Sequence, residues 1–248
     1  MDFAGRTICI TGGTRGIGRA LCDAIARRGA EAIIVVARSR RGLPESIGGT
    51  LLMFHPLDLS APHAAEELAR LVAAEHGGCS VLINNAGSQL LMDFVAPDAG
   101  DNQAALEREI ALNFAAPIAL SLLLMPILLR HVRPAICNIT SGLALAPKQS
   151  APLYCATKAG LGTFTRALRY QAQSRAPQLL VCEALPPLVD TEMTTGRGRG
   201  KISPERCARQ LVEGMERERP VIDIGKTRLL RAIMRVSPSL GYRMLRDG

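Results

Sequence analysis

The stretch Thr7-Ile8-Cys9-Ile10-Thr11-Gly12-Gly13-Thr14-Arg15-Gly16-Ile17-Gly18 decides how this chain is read. Its first five residues are apolar and β-branched, the pattern of a strand buried on both faces. They pass without a linker into a glycine-rich turn, and Ile17–Arg28 follows with helical spacing. Glycines at 12, 16 and 18 allow a tight turn, close approach of backbone to a pyrophosphate, and tight packing of helix on strand. The helix then opens with free N–H groups that favour negative charge. Glycine-rich turns occur without ligands, but the strand–turn–helix setting points to a dinucleotide. The candidate contacts in the turn are Gly12, Thr14, Arg15, Gly16, Ile17 and Gly18.

Further along the chain, apolar runs alternate with helix-like stretches. Strands are expected at Ala32–Ala37, Leu51–Pro56, Val81–Asn84, Ala135–Ile139 and Leu179–Leu185. Helices are expected over Ala64–Glu75, Leu106–Arg130 and Leu153–Ser174. This alternation predicts βαβ units and one α/β domain over residues 1–248, a doubly wound parallel sheet with helices on both faces. The connection Ser39–Thr50 holds three glycines and Pro44, so a loop or single turn is expected there in place of a helix. The tail Val221–Leu245 reads as an amphipathic cover whose arginines are solvated or near a partner subunit.

Composition narrows the function classes. Hydrophobic residues make up 48% of the chain and aromatics only 3%, a palette suited to helices packed on a parallel sheet. The net charge is +8, yet the arginines are dispersed and there is no Trp for base stacking, so no nucleic-acid partner is expected. The seven cysteines form no CxxC pair and several lie in apolar runs, as reduced thiols of a cytoplasmic protein do. The four histidines lack metal-ligand spacing, and no metal is expected. The N-terminus has no signal-peptide pattern. Ile110–Leu129 is uncharged and long enough to span a bilayer, at about 20 residues. It contains Asn113, Pro117 and Pro126 and sits inside the α/β pattern, so a helix covered partly by a second subunit is the better reading, with no membrane.

The spacing TGxxxGxG at 11–18 resembles that of the short-chain dehydrogenase/reductase family, and further matches follow in order. Asp58-Leu59 follows the third strand, Asn84-Asn85-Ala86-Gly87 ends the fourth, and Asn113 lies in the long helix. Ser141 follows the fifth strand, Tyr154-Cys155-Ala156-Thr157-Lys158 matches YxxxK, and Pro187-Leu188-Val189-Asp190-Thr191 is similar to PGxxxT with leucine for glycine. The stretch YCATKA resembles a DltE-like branch. The resemblance covers roughly residues 6–191. It implies a Rossmann fold and a nicotinamide cofactor held also by Asp58, Leu59, Asn85, Ala86, Gly87, Pro187, Val189 and Thr191, as well as by Tyr154 and Lys158. It further implies a catalytic set of Asn113, Ser141, Tyr154 and Lys158, with Asn113 opening the helix at one carbonyl and holding a water toward Lys158. A homodimer or homotetramer through the long helix and the Tyr154 helix is implied as well.

Chemistry explains why hydride transfer suits these residues. A carbonyl accepting hydride needs a proton for the developing alkoxide. Tyr154 and Lys158 are four apart on one helix face, so the lysine's charge is expected to lower the phenol pKa. Ser141 can donate to the substrate oxygen where charge develops. The second strand ends in Ala37-Arg38-Ser39 with no acid in reach, and Arg15 lies beside it, which favours NADP(H) over NAD(H) through contacts to a 2′-phosphate. The substrate is expected to be a small carbonyl or alcohol compound. Leu90, Leu91, Met92, Leu143, Leu145, Leu188 and Met193 are candidate wall residues, with residues 190–201, whose TTGRGRGK run spans Thr194–Lys201, as a lid that could cover an anionic group. Two other readings stay open: an NAD-dependent alcohol dehydrogenase working oxidatively, and a dinucleotide-binding regulator without turnover.

Overall fold

In the computed structural model, which describes residues 1–97 and 99–247, eight strands form one sheet in the order β3-β4-β2-β1-β5-β6-β7-β8. They are β1 (Thr7–Thr11), β2 (Ala32–Ala37), β3 (Ser46–Ile47), β4 (Thr50–Pro56), β5 (Val81–Asn84), β6 (Ala135–Ile139), β7 (Leu180–Leu185) and β8 (Val221–Asp223). All neighbours pair in parallel except β3, which pairs antiparallel with β4. The helices are α1 (Gly16–Ala26), α2 (Ala64–Glu75), α3 (Gln103–Ile110), α4 (Ala116–Leu128), α5 (Pro152–Arg175), α6 (Pro204–Glu216), α7 (Thr227–Val236) and α8 (Pro238–Arg246). The expected single α/β domain, with helices covering both faces of the sheet, is the observed one.

Alternation along each central strand divides the core into two layers. Ile8, Ile10 and Ile33 point to the face covered by α1 and α6, where Leu21, Ile25, Leu211 and Met215 meet them. Cys9, Ile34 and Leu82 point to the other face and meet Leu68, Val72, Leu120 and Leu124. Each fully buried leucine or isoleucine contributes roughly 2 kcal/mol of transfer free energy. All seven cysteines are buried and free.

Three expectations are corrected. The Ser39–Thr50 connection is not bare loop: it carries β3, because Gly48 and Gly49, both at positive φ, turn the chain back for a two-residue antiparallel ladder. The long helix runs over 103–128 instead of 106–130 and is not uniform. It changes to π geometry over Ala111–Ala115, around Asn113, before α4 begins with Pro117 in its first turn. The tail begins with β8 as an added sheet edge, and only then forms the amphipathic helices α7 and α8. The run 103–128 is the one stretch among the described residues long and apolar enough to cross a membrane. Here Leu120 and Leu124 are buried in the core, while Leu122 on its outer side is 72% exposed.

Candidate active site

Strand order reverses at β1, which lies between β2 and β5, so the loops leaving the carboxyl ends of β1 and β5 part there and open a crevice. A cavity of about 860 Å³ occupies it. Its wall includes every candidate cofactor residue: Gly12, Thr14, Arg15, Gly16, Ile17, Gly18, Arg38, Ser39, Asp58, Leu59, Asn85, Ala86, Gly87, Tyr154, Lys158, Pro187, Val189 and Thr191. Ser141, Leu143, Leu188 and Met193 share the wall, whereas Leu90, Leu91, Met92 and Leu145 do not.

The glycine turn is clamped from the next strand. Thr11 Oγ1 accepts from the Asn85 and Ala86 N–H groups at 3.0 Å each. The Asn85 carboxamide donates to the carbonyls of Thr11 (2.8 Å) and Gly12 (3.1 Å). Asn85 therefore holds the turn, and Thr11 is a site residue the motif reading passed over. A Cβ on Gly18 would collide with the Gly12 carbonyl oxygen and lie 2.5 Å from the Asn85 amide nitrogen. No side chain caps α1 and no acid lies in its first turn, so its leading N–H groups face the crevice without a protein anion. That donor set fits a pyrophosphate.

The rim carries the arginines. Arg38 and Ser39 are exposed at the end of β2 and line the cavity. Arg15 donates to Glu192 at 2.5 Å, and Arg41 donates to the same carboxylate at 2.8 Å. These contacts hold Glu192 below the usual carboxylate range, the Arg15 hydrogen bond most of all. Glu192 thus bridges the glycine turn to the loop after β2, a tie that no local sequence signal announces. Burial pushes the Asp58 carboxyl up, but hydrogen bonds from Ser60 and the nearby Arg38 outweigh it and leave the pKa lowered.

The four chemistry-bearing residues converge from three elements. Ser141 leaves β6 and caps a short 3₁₀ turn, its Oγ accepting from the Leu143 N–H at 3.1 Å. Its hydroxyl also bonds the Tyr154 phenol and pulls the phenol pKa down. Tyr154 and Lys158 lie one turn apart on α5, with the Lys158 Nζ 5.8 Å from the phenol ring centre and donating to the Ile139 carbonyl at 2.9 Å. α5 is registered on the sheet by a buried chain in which Asn84 donates to Asn138 (2.7 Å), Asn138 to Thr165 (2.8 Å) and Thr165 to the Leu161 carbonyl (2.7 Å). Asn113 is fully buried behind the cavity wall. Its Oδ1 accepts from the Ser88 N–H and its Nδ2 donates to the Ser88 carbonyl. Gly87 separates it from Lys158: a Cβ there would lie 3.1 Å from Asn113 Oδ1 and 3.5 Å from Lys158 Nζ.

The electrostatics correct one expectation. The phenol pKa is raised here, in spite of the lysine on the same helix face. Burial pushes Tyr154 up to about 12 against the pull of the Ser141 hydroxyl, and burial lowers Lys158 to about 8 despite the favourable charge of Glu109. Both groups are desolvated by the same walls, and that outweighs the polar neighbours that favour their charged forms. Glu109 is itself a missed feature. It is 1% exposed, accepts from the Leu90 N–H at 2.6 Å, and is raised in pKa by burial. The tail residues Thr227, Leu229, Leu230, Ile233, Met244 and Leu245 also wall the cavity, which the reading of the tail as a plain cover did not foresee. Elsewhere, the fold brings two scattered histidines together, His55 Nε2 and His76 Nε2 lying 2.6 Å apart. With His76 held low by burial and by His55, the pair reads as one ring donating to the other.

Comparison with known proteins places the chain. The short chain dehydrogenase family profile matches residues 6–201. The chain is a short-chain dehydrogenase/reductase. It is 34% identical over 226 residues to the uncharacterized oxidoreductase DltE of Bacillus subtilis (strain 168), covering 87% of this chain and 86% of that protein. It is 30% identical over 202 residues to the 3-oxoacyl-[acyl-carrier-protein] reductase FabG of Escherichia coli (strain K12), covering 78% of each. A short chain dehydrogenase from Burkholderia cenocepacia J2315 in complex with NADP shares the fold over 100% of both chains, with a TM-score of 0.84 and 23% identity. One from Sphingobium yanoikuyae in complex with NADPH has a TM-score of 0.75 and 25% identity, covering 96% of this chain and 94% of that one. This short-chain dehydrogenase/reductase is an NAD(P)-binding oxidoreductase.

Proposed function

We propose that the protein is an NADPH-dependent reductase that converts a small ketone or aldehyde to an alcohol. The observation that carries this reading is the convergence of Ser141, Tyr154 and Lys158 on the wall of the same cavity as the uncapped glycine turn. A nicotinamide bound there supplies the hydride. The chain's own residues do the rest. Ser141 turns its O–H from the Tyr154 phenol to the substrate oxygen and stabilises the charge that develops there. Tyr154, pushed up to about 12, is protonated at neutral pH and gives its phenol proton to that oxygen. Lys158 stabilises the tyrosinate left behind, and Asn113 fixes the Ser88 backbone that follows Gly87 and so the floor beside Lys158. A phenol kept protonated suits an acid more than a base, which favours reduction over the oxidative alternative.

Arg38 and Ser39 at the end of β2, with no acid among them, support NADP(H) through the 2′-phosphate. Arg15 is shared with Glu192 and contributes its charge from that pair. The two similar structures named with NADP and NADPH agree with this choice. The roles given above to the candidate residues, the lid at 190–201, a cytoplasmic location and a homodimer or homotetramer through the long helix and the Tyr154 helix belong to the same reading. Initial rates with NADPH and NADH at matched low concentrations test it across a panel of ketones, aldehydes and alcohols. A clear preference for NADH overturns the cofactor assignment. Full activity of Tyr154→Phe overturns the mechanism.

A further inference from the structure

Lys148 stands in the segment between Ser141 and Tyr154, and neither its chemistry nor its burial is explained by the hydride-transfer machinery. Its side chain lines the cavity although the residue is only 9% exposed. Its backbone is tied to α5 at the residue after Tyr154: the Lys148 N–H donates to Cys155 Sγ at 3.4 Å, and that thiol points back at the Lys148 carbonyl. Among the described residues, the ammonium makes no hydrogen bond or ion pair. Burial holds its pKa below the ordinary lysine value, and the charge of Arg197 adds to the effect. Arg197 reaches in from the 194–201 loop, where its guanidinium donates to Gln89 Oε1 at 2.8 Å and finds no carboxylate.

An ammonium and a guanidinium in the wall of one cavity repel each other, and an anion bound there would complete both. Protein acids do not supply it. The carboxylates on the cavity wall are Asp58, bonded to Ser60, and Glu192, bridging Arg15 and Arg41, both committed at the glycine-turn side. The same wall also carries Leu143, Leu188, Leu230 and Ile233, an apolar surface that would follow a hydrocarbon chain.

We infer that Lys148 and Arg197 form an anion subsite, and that the substrate is an apolar carbonyl compound carrying an anionic head group. The inference rests on the reductase reading for the reacting carbonyl, but the subsite itself is a binding feature that can be tested without turnover. A carboxylate and a phosphate monoester share the required chemistry. Arg197 would release Gln89 and close on the head group as the loop settles, which gives the 190–201 segment its role as a lid.

The test is calorimetric titration of the NADPH-saturated protein with octanoate, octyl phosphate and octanamide, which share a chain and differ in head-group charge. One of the two anions should bind at least about tenfold more tightly than octanamide, and the better of them identifies the head group. That advantage should shrink to about threefold or less in Lys148→Met and in Arg197→Gln. Equal affinity for all three probes in the unaltered protein overturns the inference, as does an anion advantage that survives Lys148→Met. Arg197→Gln alters an exposed-loop residue, so its readout does not depend on how Lys148→Met folds. An anion advantage in a protein that reduces no carbonyl compound would instead count against the reductase reading and leave the subsite standing.

Discussion

The cofactor end of the cavity is walled by turns that leave parallel strands, whereas its other end is walled by side chains from the 194–201 loop and the C-terminal helices. At the first end the groups facing the crevice are main-chain N–H donors and glycines, held by Thr11 and Asn85. Their geometry is fixed by the sheet, so few side chains could change without loss. At the second end the groups are Lys148, Arg197, Leu230 and Ile233, which can be exchanged one at a time without touching the sheet. One end is built to hold the same ligand always, and the other to be retuned.

Breaking the shared chemistry between the two ends should have the largest effect. Tyr154→Phe removes the acid and nothing else, and kcat should fall by about a thousandfold or more while cofactor affinity changes less than about threefold. Stopped-flow turnover and cofactor fluorescence titration read the two quantities separately. Gly18→Ala attacks the cofactor end, where the added methyl meets the Gly12 carbonyl. Cofactor affinity should drop by about a hundredfold, with a matching loss of cofactor-induced thermal stabilisation. An unchanged Tm shift would mean that the turn is not the pyrophosphate seat.

Three further variants sharpen the contrast. Arg38→Asp should lower the NADPH-to-NADH ratio of kcat/KM by about tenfold or more, since an acid there repels a 2′-phosphate and accepts ribose hydroxyls. The pH profile tests the buried pair. Lys158 titrates near 8, lowered by burial, so its ammonium is present below that pH and lost above it. For reduction, kcat/KM should therefore decline on the alkaline side with an apparent pKa near 8. Lys158→Arg should remove that limb, because a guanidinium stays charged. Glu192→Gln should have the smallest effect, about a two- to threefold change in cofactor KM, because the ion pairs it loses are solvent-exposed.

Residues 6–191 disclosed most of the cofactor end because its contacts are local. A strand, a glycine turn and a helix are contiguous, and Asn85 and Tyr154-Lys158 sit at fixed steps from their own strands or on one helix face. The fold class followed from the same alternation of apolar strand and helix. What the alternation could not disclose was β8, whose three residues follow α6 in the chain and pair with β7 at the sheet edge. Nor could it show the π turn around Asn113, a backbone detail within an unbroken apolar run.

For the site, the sequence by itself determined which side chains carry the chemistry, because four-residue spacing on a helix and glycine in a turn have meanings independent of context. Only the tertiary structure decided their electrostatic state. Tyr154 ends near 12 and Lys158 near 8 because burial acts through neighbours far away in the chain, which no spacing reveals. It also decided that Lys148 and Arg197 line one cavity whose wall acids, Asp58 and Glu192, are bonded elsewhere, since charge balance inside a cavity is a property of its whole wall.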